Sequence, residues 1–275
     1  MVQWYPGHME KAKRDIQSKL KLVDIVFELV DARVPKSSQN PMMNEIIDNK
    51  PKLVLMTKST MADSKLNQLW INQFENALLI DAITGFNINK IVPASREVLK
   101  DKLLRDKQRG MKPRAIRAMV IGIPNVGKST LINRLVNKKV TNVGNRPGIT
   151  KAQQWIRINK DLELLDNPGI LWSKFADEKQ GFHLALTGAI KDQIYHKDDV
   201  ILYFLDFLKK YYPKNLNDRY QLDNINDNIE ILNAIGKSRG LVRNNEVEYE
   251  RVYEVILNDF RKNHLGLITL DRVNE

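Results

Sequence analysis

A glycine-rich segment near the middle of the chain constrains the fold more than any other feature. Residues 122–129 read Gly-Ile-Pro-Asn-Val-Gly-Lys-Ser, which fits the phosphate-binding pattern of spaced glycines followed by Lys and Ser. The preceding residues Arg117–Ile121 are apolar and partly β-branched, as expected of a buried parallel strand. Residues 129–136 carry apolar side chains at helical spacing. This order of strand, loop and helix predicts a nucleoside triphosphate site in an α/β fold.

The residue types in this loop explain why phosphate is the expected ligand. Gly122 and Gly127 allow the backbone to curl so that its N–H groups face phosphate oxygens. The N-terminus of the helix favours negative charge, Lys128 supplies a cation for the β- and γ-phosphates, and the Ser129 hydroxyl can bind Mg2+. An ordinary glycine turn is the alternative, and the complete motif in its context argues against it.

Composition limits the class of protein and the class of partner. The chain has 275 residues, of which 43% are hydrophobic, so it can fill a core and is long enough for two domains. It contains no cysteine, so neither disulfides nor thiolate metal sites are expected, which fits a cytoplasmic protein. No secretion signal or membrane-spanning segment is predicted. The net charge of +11 favours a polyanionic partner, nucleic acid before membrane.

Before the glycine-rich loop, strands alternate with helices. Apolar runs predict strands at 23–30, 52–56 and 77–80, and a helix around 66–74, which together indicate a mostly parallel sheet with helices on both faces. A basic segment at 101–117 is predicted to be the end of a helix that continues into a solvated linker.

After the loop, residues 153–158 and 162–165 predict two more strands. The second runs into Asp166-Asn167-Pro168-Gly169, where an acid at a strand end and a nearby glycine are typical of a metal ligand and a γ-phosphate contact. From residue 181 onward the pattern becomes helical. Three helices are predicted from their apolar residues: Leu184, Ile190 and Ile194; Ile201, Phe204, Leu205 and Leu208; and Tyr249, Val252, Tyr253, Ile256 and Phe260.

Five segments together resemble the TRAFAC-class GTPases with a circularly permuted G domain, a class with members that assist assembly of the large ribosomal subunit. The segments are Trp4–Met9, Asp31-Ala32-Arg33, residues 122–129, Asp166–Gly169 and Leu186–Lys191. Their order is part of the resemblance, because the base-side segments at 57–60 and 81–85 precede the phosphate loop. The resemblance implies a G domain over residues 1–178, with an N-terminal segment at 1–22 and the linker at 101–117. It further implies a smaller all-helical domain over residues 179–275 that binds ribosomal RNA.

The resemblance also assigns roles to individual residues. GTP or GDP and Mg2+ are the implied cofactors, with K+ as an additional candidate at Asn125; the large ribosomal subunit and its rRNA are the implied partners, and neither membrane nor DNA is expected. The implied catalytic residues are His8, Lys128 and Thr150; the implied metal ligands are Ser129, Thr150 and Asp166; the implied nucleotide-binding residues are Thr57, Lys58, Ser59, Asp81, Ala82, Asn125, Val126, Gly127, Lys128, Ser129, Thr130 and Gly169.

The chain departs from the pattern of the class in the segment 57–60 and, more mildly, at Asn167, where relatives more often have Thr. Guanine is normally read by Asn-Lys-x-Asp, but this chain has Thr57-Lys58-Ser59-Thr60 and lacks the carboxylate that accepts two hydrogen bonds from the base. The water-orienting Gln of signalling GTPases is replaced by Ile170, so the resemblance points to His8 instead. Packing or capping of the first helix is an equally open role for His8.

Three functions therefore remain open at the level of sequence. The favoured one is a GTP-hydrolysing assembly factor for the large ribosomal subunit. The second is a P-loop ATPase or nucleotide hydrolase of relaxed base specificity, for which the segment 57–60 leaves room. The third is an RNA-binding protein that holds nucleotide without hydrolysing it.

Overall fold

The structure is a computed structural model of the 275-residue chain. It describes residues 14, 16–47, 49–136, 155–166, 177–222 and 227–273, with the backbone alone for 42–44 and 166. Three predicted site residues, His8, Thr150 and Gly169, lie outside the described residues. No helix among the described ranges is both long and apolar enough to cross a membrane.

The first two thirds of the described chain form a sheet with helices. Residues 16–20 are helical and precede the first strand. The elements that follow are β1 (Ile25–Asp31), α1 (Pro41–Ile47), β2 (Lys52–Thr57), α2 (Ser64–Ile71), β3 (Ala77–Leu79), α3 (Ile91–Val98), α4 (Lys100–Gln108), β4 (Ile116–Gly122), α5 (Lys128–Val136), β5 (Trp155–Arg157) and β6 (Leu162–Asp166). The predicted α/β alternation is confirmed.

The order of the strands determines where a ligand can bind. The six-stranded sheet runs β3-β2-β1-β4-β6-β5, and each pairing is parallel except that of β5 with β6. The chain builds outward from β1 to β3, then returns to place β4 on the other side of β1. Ligands of open α/β sheets bind at such a reversal point, beyond the carboxyl ends of the strands. Here that point lies between the end of β1 and the glycine-rich loop after β4.

All seven residues of β1 are buried, because helices cover both faces of the sheet. Phe27 and Leu29 point into the core on one face, whereas Val26 and Val30 belong to clusters on the other. This continuous apolar burial is typical of a central parallel strand. It holds the two ends of β1, and the acids at those ends, in fixed positions.

The last third of the described chain is helical. It contains α6 (Glu178–Leu186), α7 (Lys197–Tyr211), α8 (Pro213–Tyr220), α9 (Asn228–Ser238), a two-stranded hairpin of β7 (Val242–Arg243) and β8 (Glu246–Val247), and α10 (Tyr249–Arg261). The helices predicted around 201–208 and 249–260 are confirmed as α7 and α10, whereas α8, α9 and the hairpin were not predicted.

The helix predicted through Leu184, Ile190 and Ile194 is wrong in its length. Helix α6 ends at Leu186, where Gly188 adopts φ 77° and donates to the Ala185 carbonyl at 3.0 Å. Ala189 N–H donates to the Leu184 carbonyl at 2.9 Å, so the turn is a glycine-dependent Schellman cap. The chain then leaves the helix direction, and Ile190 packs into the core of the sheet.

Within the basic segment 101–117, helix α4 ends at Gln108, residues 109–115 connect it to β4, and residues 116 and 117 belong to β4; part of the positive charge of this segment is paired. Lys102 on α4 and Arg114 in the connector both bind the Asp24 carboxylate, just before β1. Arg114 donates through two nitrogens, each at 2.8 Å, and Arg117 N–H adds a bond at 2.9 Å. The connector is therefore fastened to the amino end of the central strand.

The sheet and the helices share a buried polar contact. Ser37, in the loop after β1, donates from Oγ to Asp271 Oδ1 at 2.7 Å. His183 Nδ1, on α6, lies 2.8 Å from the same oxygen, and its Nε2 lies 2.7 Å from the Tyr203 hydroxyl. All of these groups except Tyr203 are buried, which makes the contact a fixed joint between the loop, α6 and the C-terminal segment.

Candidate nucleotide-binding site

The glycine-rich loop joins β4 to α5 and lies at the reversal point of the sheet. Gly122 is required by close packing, because a Cβ there would lie 2.9 Å from the Leu29 carbonyl oxygen of β1. Asn125 and Gly127 adopt φ 58° and 107°, which turn the loop back over the helix. Successive main-chain N–H groups in a turn of this kind form a concave anion site, as the sequence predicts.

Lys128 occupies the first turn of α5, and its ammonium lies across the loop. Its Nζ donates to the carbonyls of Gly122 at 3.0 Å and Ile123 at 2.8 Å, and the residue is 9% exposed. Ser129 and Thr130 follow in the same turn. The positive charge, the helix N-terminus and the loop amides therefore converge on one place.

The segment 57–60 approaches the loop from β2. Thr57 lies at the end of that strand, and its hydroxyl is 2.7 Å from the Val126 carbonyl and 3.0 Å from the Val30 carbonyl. Thr57 stands where the class pattern Asn-Lys-x-Asp has asparagine, and its hydroxyl contacts the phosphate loop at Val126. Its role in the structure is to position Val126.

Lys58 connects the loop to the end of β1. Its backbone is left-handed, with φ 55°, and its Nζ donates to Asp31 Oδ2 at 2.7 Å and to the Asn125 carbonyl at 2.8 Å. Burial lowers the pKa of Lys58, and Asp31 opposes that change. Burial alone would raise the pKa of Asp31, but Arg33 and Lys58 together hold it well below its usual range.

The segment after β3 completes the base side. Asp81 is 2% exposed; its Oδ1 accepts from the N–H groups of Ile83 at 2.8 Å and Thr84 at 3.0 Å. Thr60 Oγ1 donates to its other oxygen at 2.5 Å. Ser59 points away from this pair and donates to the Ile80 carbonyl at 3.0 Å, while Ala82 lies half-buried beside Asp81.

These segments border a cleft of about 750 Å³ between the sheet and the helical part. The cleft is rich in basic and amide side chains. It is lined by Arg33, Lys58, Met61, Ile83, Asn125, Thr187, Gly188, Ile190, Lys191, Asp192, Gln193, Asn258, Arg261 and Lys262. The predicted residues Lys58 and Asn125 are therefore brought together, and they meet residues 187–193 and α10.

Sequence reasoning gave no site role to Arg33, although the structure places it at the centre of this region. Arg33 is 2% exposed; its Nε and Nη2 donate to Asp31 at 2.9 and 2.7 Å, and its guanidinium lies 5.0 Å from the centre of the Phe260 ring. Its position two residues after the strand-end Asp31 is the sequence signal that could have pointed to it. The contact with α10, 227 residues away, carries no local signal.

A second unpredicted contact involves Asn125. Its Nδ2 donates to the Gly188 carbonyl at 2.6 Å, so the tip of the phosphate loop is bonded directly to the turn after α6. Gly188 is also the residue that ends α6, and a Cβ there would meet the Arg261 guanidinium at 3.4 Å. The phosphate loop and the helical part are therefore joined at the backbone turn of Gly188, which leaves little space for a side chain at that position.

The described residues contain no cluster of three or more His, Asp or Glu side chains that could hold a metal by themselves. A magnesium ion bound with nucleotide does not need such a cluster, since phosphate oxygens and water supply most of its ligands. Ser129 lies in the first turn of α5, and Asp166 ends β6 beside Val120 of β4, so both positions occur at the carboxyl edge. An oxygen-based donor set at this edge fits Mg2+.

Comparison with known proteins agrees with this geometry. A family model described as "50S ribosome-binding GTPase" matches residues 117–244. Ribosome biogenesis GTPase A of Bacillus licheniformis is 50% identical over 278 residues, covering 99% of this chain and 98% of that protein. The protein of the same name from Priestia megaterium is 51% identical over 281 residues, covering 100% and 98%.

A solved structure has the same fold. The GDP-bound structure of YlqF superimposes with a TM-score of 0.66 over 95% of this chain and 100% of that chain, at 21% identity. The motif order, with the base-side segments before the phosphate loop, is thus that of a circularly permuted G domain, as predicted. On the full-length identity to the curated relatives, the chain is a GTPase and belongs to the ribosome biogenesis GTPase A family.

Proposed function

We propose that the chain binds GTP in the cleft at the carboxyl edge of the sheet, hydrolyses it to GDP and phosphate, and uses this cycle to govern its binding to the large ribosomal subunit during assembly. The observation that carries this proposal is the convergence of the phosphate loop, segment 57–60 and Asp81 at the reversal point of the sheet. The names of the relatives support the ribosomal role.

The phosphates are held mainly by the main chain of residues 122–129. In this proposal Lys128 Nζ exchanges its two loop carbonyls for β- and γ-phosphate oxygens, and the amides of Gly127, Lys128 and Thr130 point at the same group. Ser129, Thr150 and Asp166 would hold Mg2+, and Gly169 would contact the γ-phosphate. A bound Mg2+ would supply positive charge that stabilises the phosphate oxygens.

Hydrolysis requires a water molecule in line with the bond to the leaving GDP oxygen. Water attacks the γ-phosphorus, the bond to the β–γ bridging oxygen breaks, and GDP departs with the electron pair. We propose that His8 orients this water, since the residue after Gly169 is the apolar Ile170. Replacing His8 with Ala should then slow turnover and leave nucleotide affinity nearly unchanged.

The base lies on the side of the loop where Lys58 and Thr57 touch it. The stem of Lys58 covers one face of the base, and its ammonium remains anchored to Asp31 and Asn125. Ser59, Asp81 and Ala82 border the edge of the base. Asn125 is an additional candidate ligand of K+ through its side-chain oxygen Oδ1, because its Nδ2 donates to the Gly188 carbonyl.

The helical part, residues 179–275, is proposed to bind ribosomal RNA. The chain carries a net charge of +11, and phosphate contacts by Lys and Arg dominate RNA affinity. The basic residues of this part include Lys209, Lys210, Lys214, Arg219, Lys237, Arg239, Arg243 and Lys262, of which Arg219 is paired with Asp259. A cytoplasmic location, where ribosomes assemble, follows from the same proposal.

Two contacts give the nucleotide a route to the helical part. Asn125 connects the phosphate loop to Gly188, and Lys58 connects it through Asp31 and Arg33 to Phe260. Any change in the loop on loss of the γ-phosphate would act on α6 and α10 through these bonds. RNA binding is therefore expected to depend on which nucleotide is present.

A competition assay with GTP, ATP and XTP tests the proposal, followed by turnover with and without large ribosomal subunits. We expect GTP to bind best and turnover to rise with subunits. Lys128→Ala should weaken GTP binding by about tenfold to a hundredfold, since charge-assisted bonds contribute about 1.5–3 kcal/mol. Lys65→Ala, an exposed lysine on α2, is the matched control.

Two results would favour the alternatives. A preference for ATP would indicate a nucleotide hydrolase of relaxed base specificity, for which the departure at residues 57–60 leaves room. Tight GTP binding with no turnover, even with subunits, would indicate an RNA-binding protein that uses nucleotide as a structural ligand.

A further inference from the structure

The base side of the cleft lacks the carboxylate that would normally accept hydrogen bonds from guanine, because position 60 is threonine. Thr60 is nevertheless not an unconstrained surface hydroxyl. It is exposed, and it lies on the short turn Ser59–Met61, next to Met61 and two residues after Lys58, which both line the cleft.

Asp81 determines whether the Thr60 hydroxyl can donate or accept a further hydrogen bond. A hydroxyl has one proton and two lone pairs, and the Thr60 proton is donated to Asp81 Oδ2 at 2.5 Å. The Asp81 carboxylate cannot turn away, because its Oδ1 already accepts from Ile83 and Thr84 N–H and the residue is buried. With its proton committed, Thr60 presents only acceptor capacity to the outside.

The neighbouring residues relate this acceptor to the cleft. Thr57 and Lys58, just before Thr60, touch the tip of the phosphate loop, and Lys58 and Met61 line the cleft. Ile83, two residues after Asp81, lines the same cleft. The Thr60–Asp81 hydrogen bond therefore links the two chain segments that contribute these lining residues.

We propose that Thr60, held as an acceptor by Asp81, reads guanine through its N1–H or 2-amino group. This inference rests on the proposed nucleotide site. A hydroxyl that donates to a carboxylate is a stronger acceptor than a free one, because hydrogen bonds in a chain polarise each other. Adenine carries an acceptor at N1 and only hydrogen at C2, so it leaves Thr60 without a partner.

The acceptor is single, whereas an aspartate offers two parallel oxygens. The Thr60–Asp81 pair should accordingly select guanine over adenine more weakly than a carboxylate at position 60 would. Selectivity is expected to be present and to depend on both residues.

The experiment measures Kd for fluorescent GDP and ADP analogues in the full chain and four variants. Thr60→Val keeps the shape and removes the hydroxyl, and it should lower the GDP-over-ADP preference about tenfold. Thr60→Ser keeps the hydroxyl and should retain the preference. Asp81→Asn should also lower it, because an amide N–H can donate to Thr60 and turn the hydroxyl proton outward. Lys65→Ala, an exposed lysine on α2 outside the cleft, is the control and should change nothing.

An unchanged preference in Thr60→Val would overturn the proposal, and so would a preference lost in Asp81→Asn but kept in Thr60→Val, since Asp81 would then read the base itself. Failure of the unaltered chain to bind GDP at all would instead remove the proposed function, so the two failures are distinguishable.

A second pair of variants keeps the test valid if Asp81→Asn does not fold. Thr60→Asp places a second carboxylate against Asp81 and should weaken GDP binding, because the two charges repel. Thr60→Asp combined with Asp81→Ser removes the repulsion and should give a GDP preference above that of the unaltered chain. If the double variant is no better than Thr60→Asp alone, the coupling between the two positions is not the one proposed.

Discussion

The two ends of strand β1 carry the same charge arrangement in different surroundings. Asp24 precedes the strand and binds Lys102, Arg114 and one backbone N–H. Asp31 ends the strand and binds Lys58, Arg33 and one backbone N–H. Each carboxylate thus has a lysine, an arginine that donates twice, and a main-chain donor.

Burial separates the two clusters. Lys102 and Arg114 are 36% and 49% exposed in their side chains, whereas Arg33 is 2% exposed and its guanidinium lies against Phe260 of α10. The first cluster fastens a connector to the amino end of the sheet. The second joins the phosphate loop to the helical part through Lys58, Arg33 and Phe260, which is the contact that the proposed nucleotide dependence requires.

The largest effect is expected for Asp31→Asn. This change leaves Arg33 buried with no opposite charge, and breaking a buried pair in this way costs about 3–5 kcal/mol. Urea unfolding should show the loss as a lower midpoint, and GTP affinity should fall with it because Lys58 loses its anchor. Full stability and affinity in Asp31→Asn would show that this end of β1 is no more important than an ordinary surface pair.

Asp24→Asn should have a smaller and purely structural effect. Its partners are partly exposed, so after allowance for solvent screening we expect a loss of about 1–2 kcal/mol. Under conditions in which both the unaltered chain and the variant are fully folded, nucleotide affinity should be unchanged. The cluster lies at the opposite edge of the sheet from the phosphate loop. A matching loss of GTP affinity would contradict the division of roles between the two ends.

Much of this region could be predicted from local sequence. The strand 23–30, the loop at 122–129 and the basic segment 101–117 all carry short-range patterns, and each is found close to its predicted place. The pairing of Asp24 with Lys102 and Arg114 could not be predicted, because nothing local distinguishes those two cations from their solvated neighbours. The same holds for Arg33 and Phe260, and for the turn at Gly188 that ends α6.

The helical part shows a different limit. Helices α7 and α10 have long apolar stripes and were predicted, whereas α8 is short and polar, with Leu216 and Tyr220 as its only buried residues. Its position depends on the preceding helix and on Pro213 at its start. The helical spacing of apolar residues alone does not identify such a helix.

Acid titration sharpens the comparison between the two acids. The partners of Asp24 lower its pKa to about 2 against the opposing effect of burial, so its folded pKa is below the unfolded value of about 3.9. Its contribution is therefore complete above about pH 5 and is lost as pH falls from about 4 towards 2. The difference in unfolding free energy between the unaltered chain and Asp24→Asn should shrink across that window. A difference that stays constant down to pH 2.5 would show that the charge of Asp24 contributes nothing.

The smallest effect is expected at the other route between the loop and the helical part. Asn125→Ala removes one hydrogen bond to the Gly188 carbonyl and should cost only about 0.5–1.5 kcal/mol of stability. Its informative result is on coupling, measured as the ratio of ribosomal subunit affinity with GTP analogue to that with GDP. If the Asn125–Gly188 bond transmits the state of the loop, this ratio should move towards one while Lys58 still holds the base side.

Gln68→Ala, which removes an exposed amide from α2 outside the cleft, is the control and should leave the ratio unchanged. An unaltered ratio in Asn125→Ala would leave the buried Asp31–Arg33–Phe260 contacts as the connection through which nucleotide governs the helices. The contrast between the two ends of β1 would then be sharper.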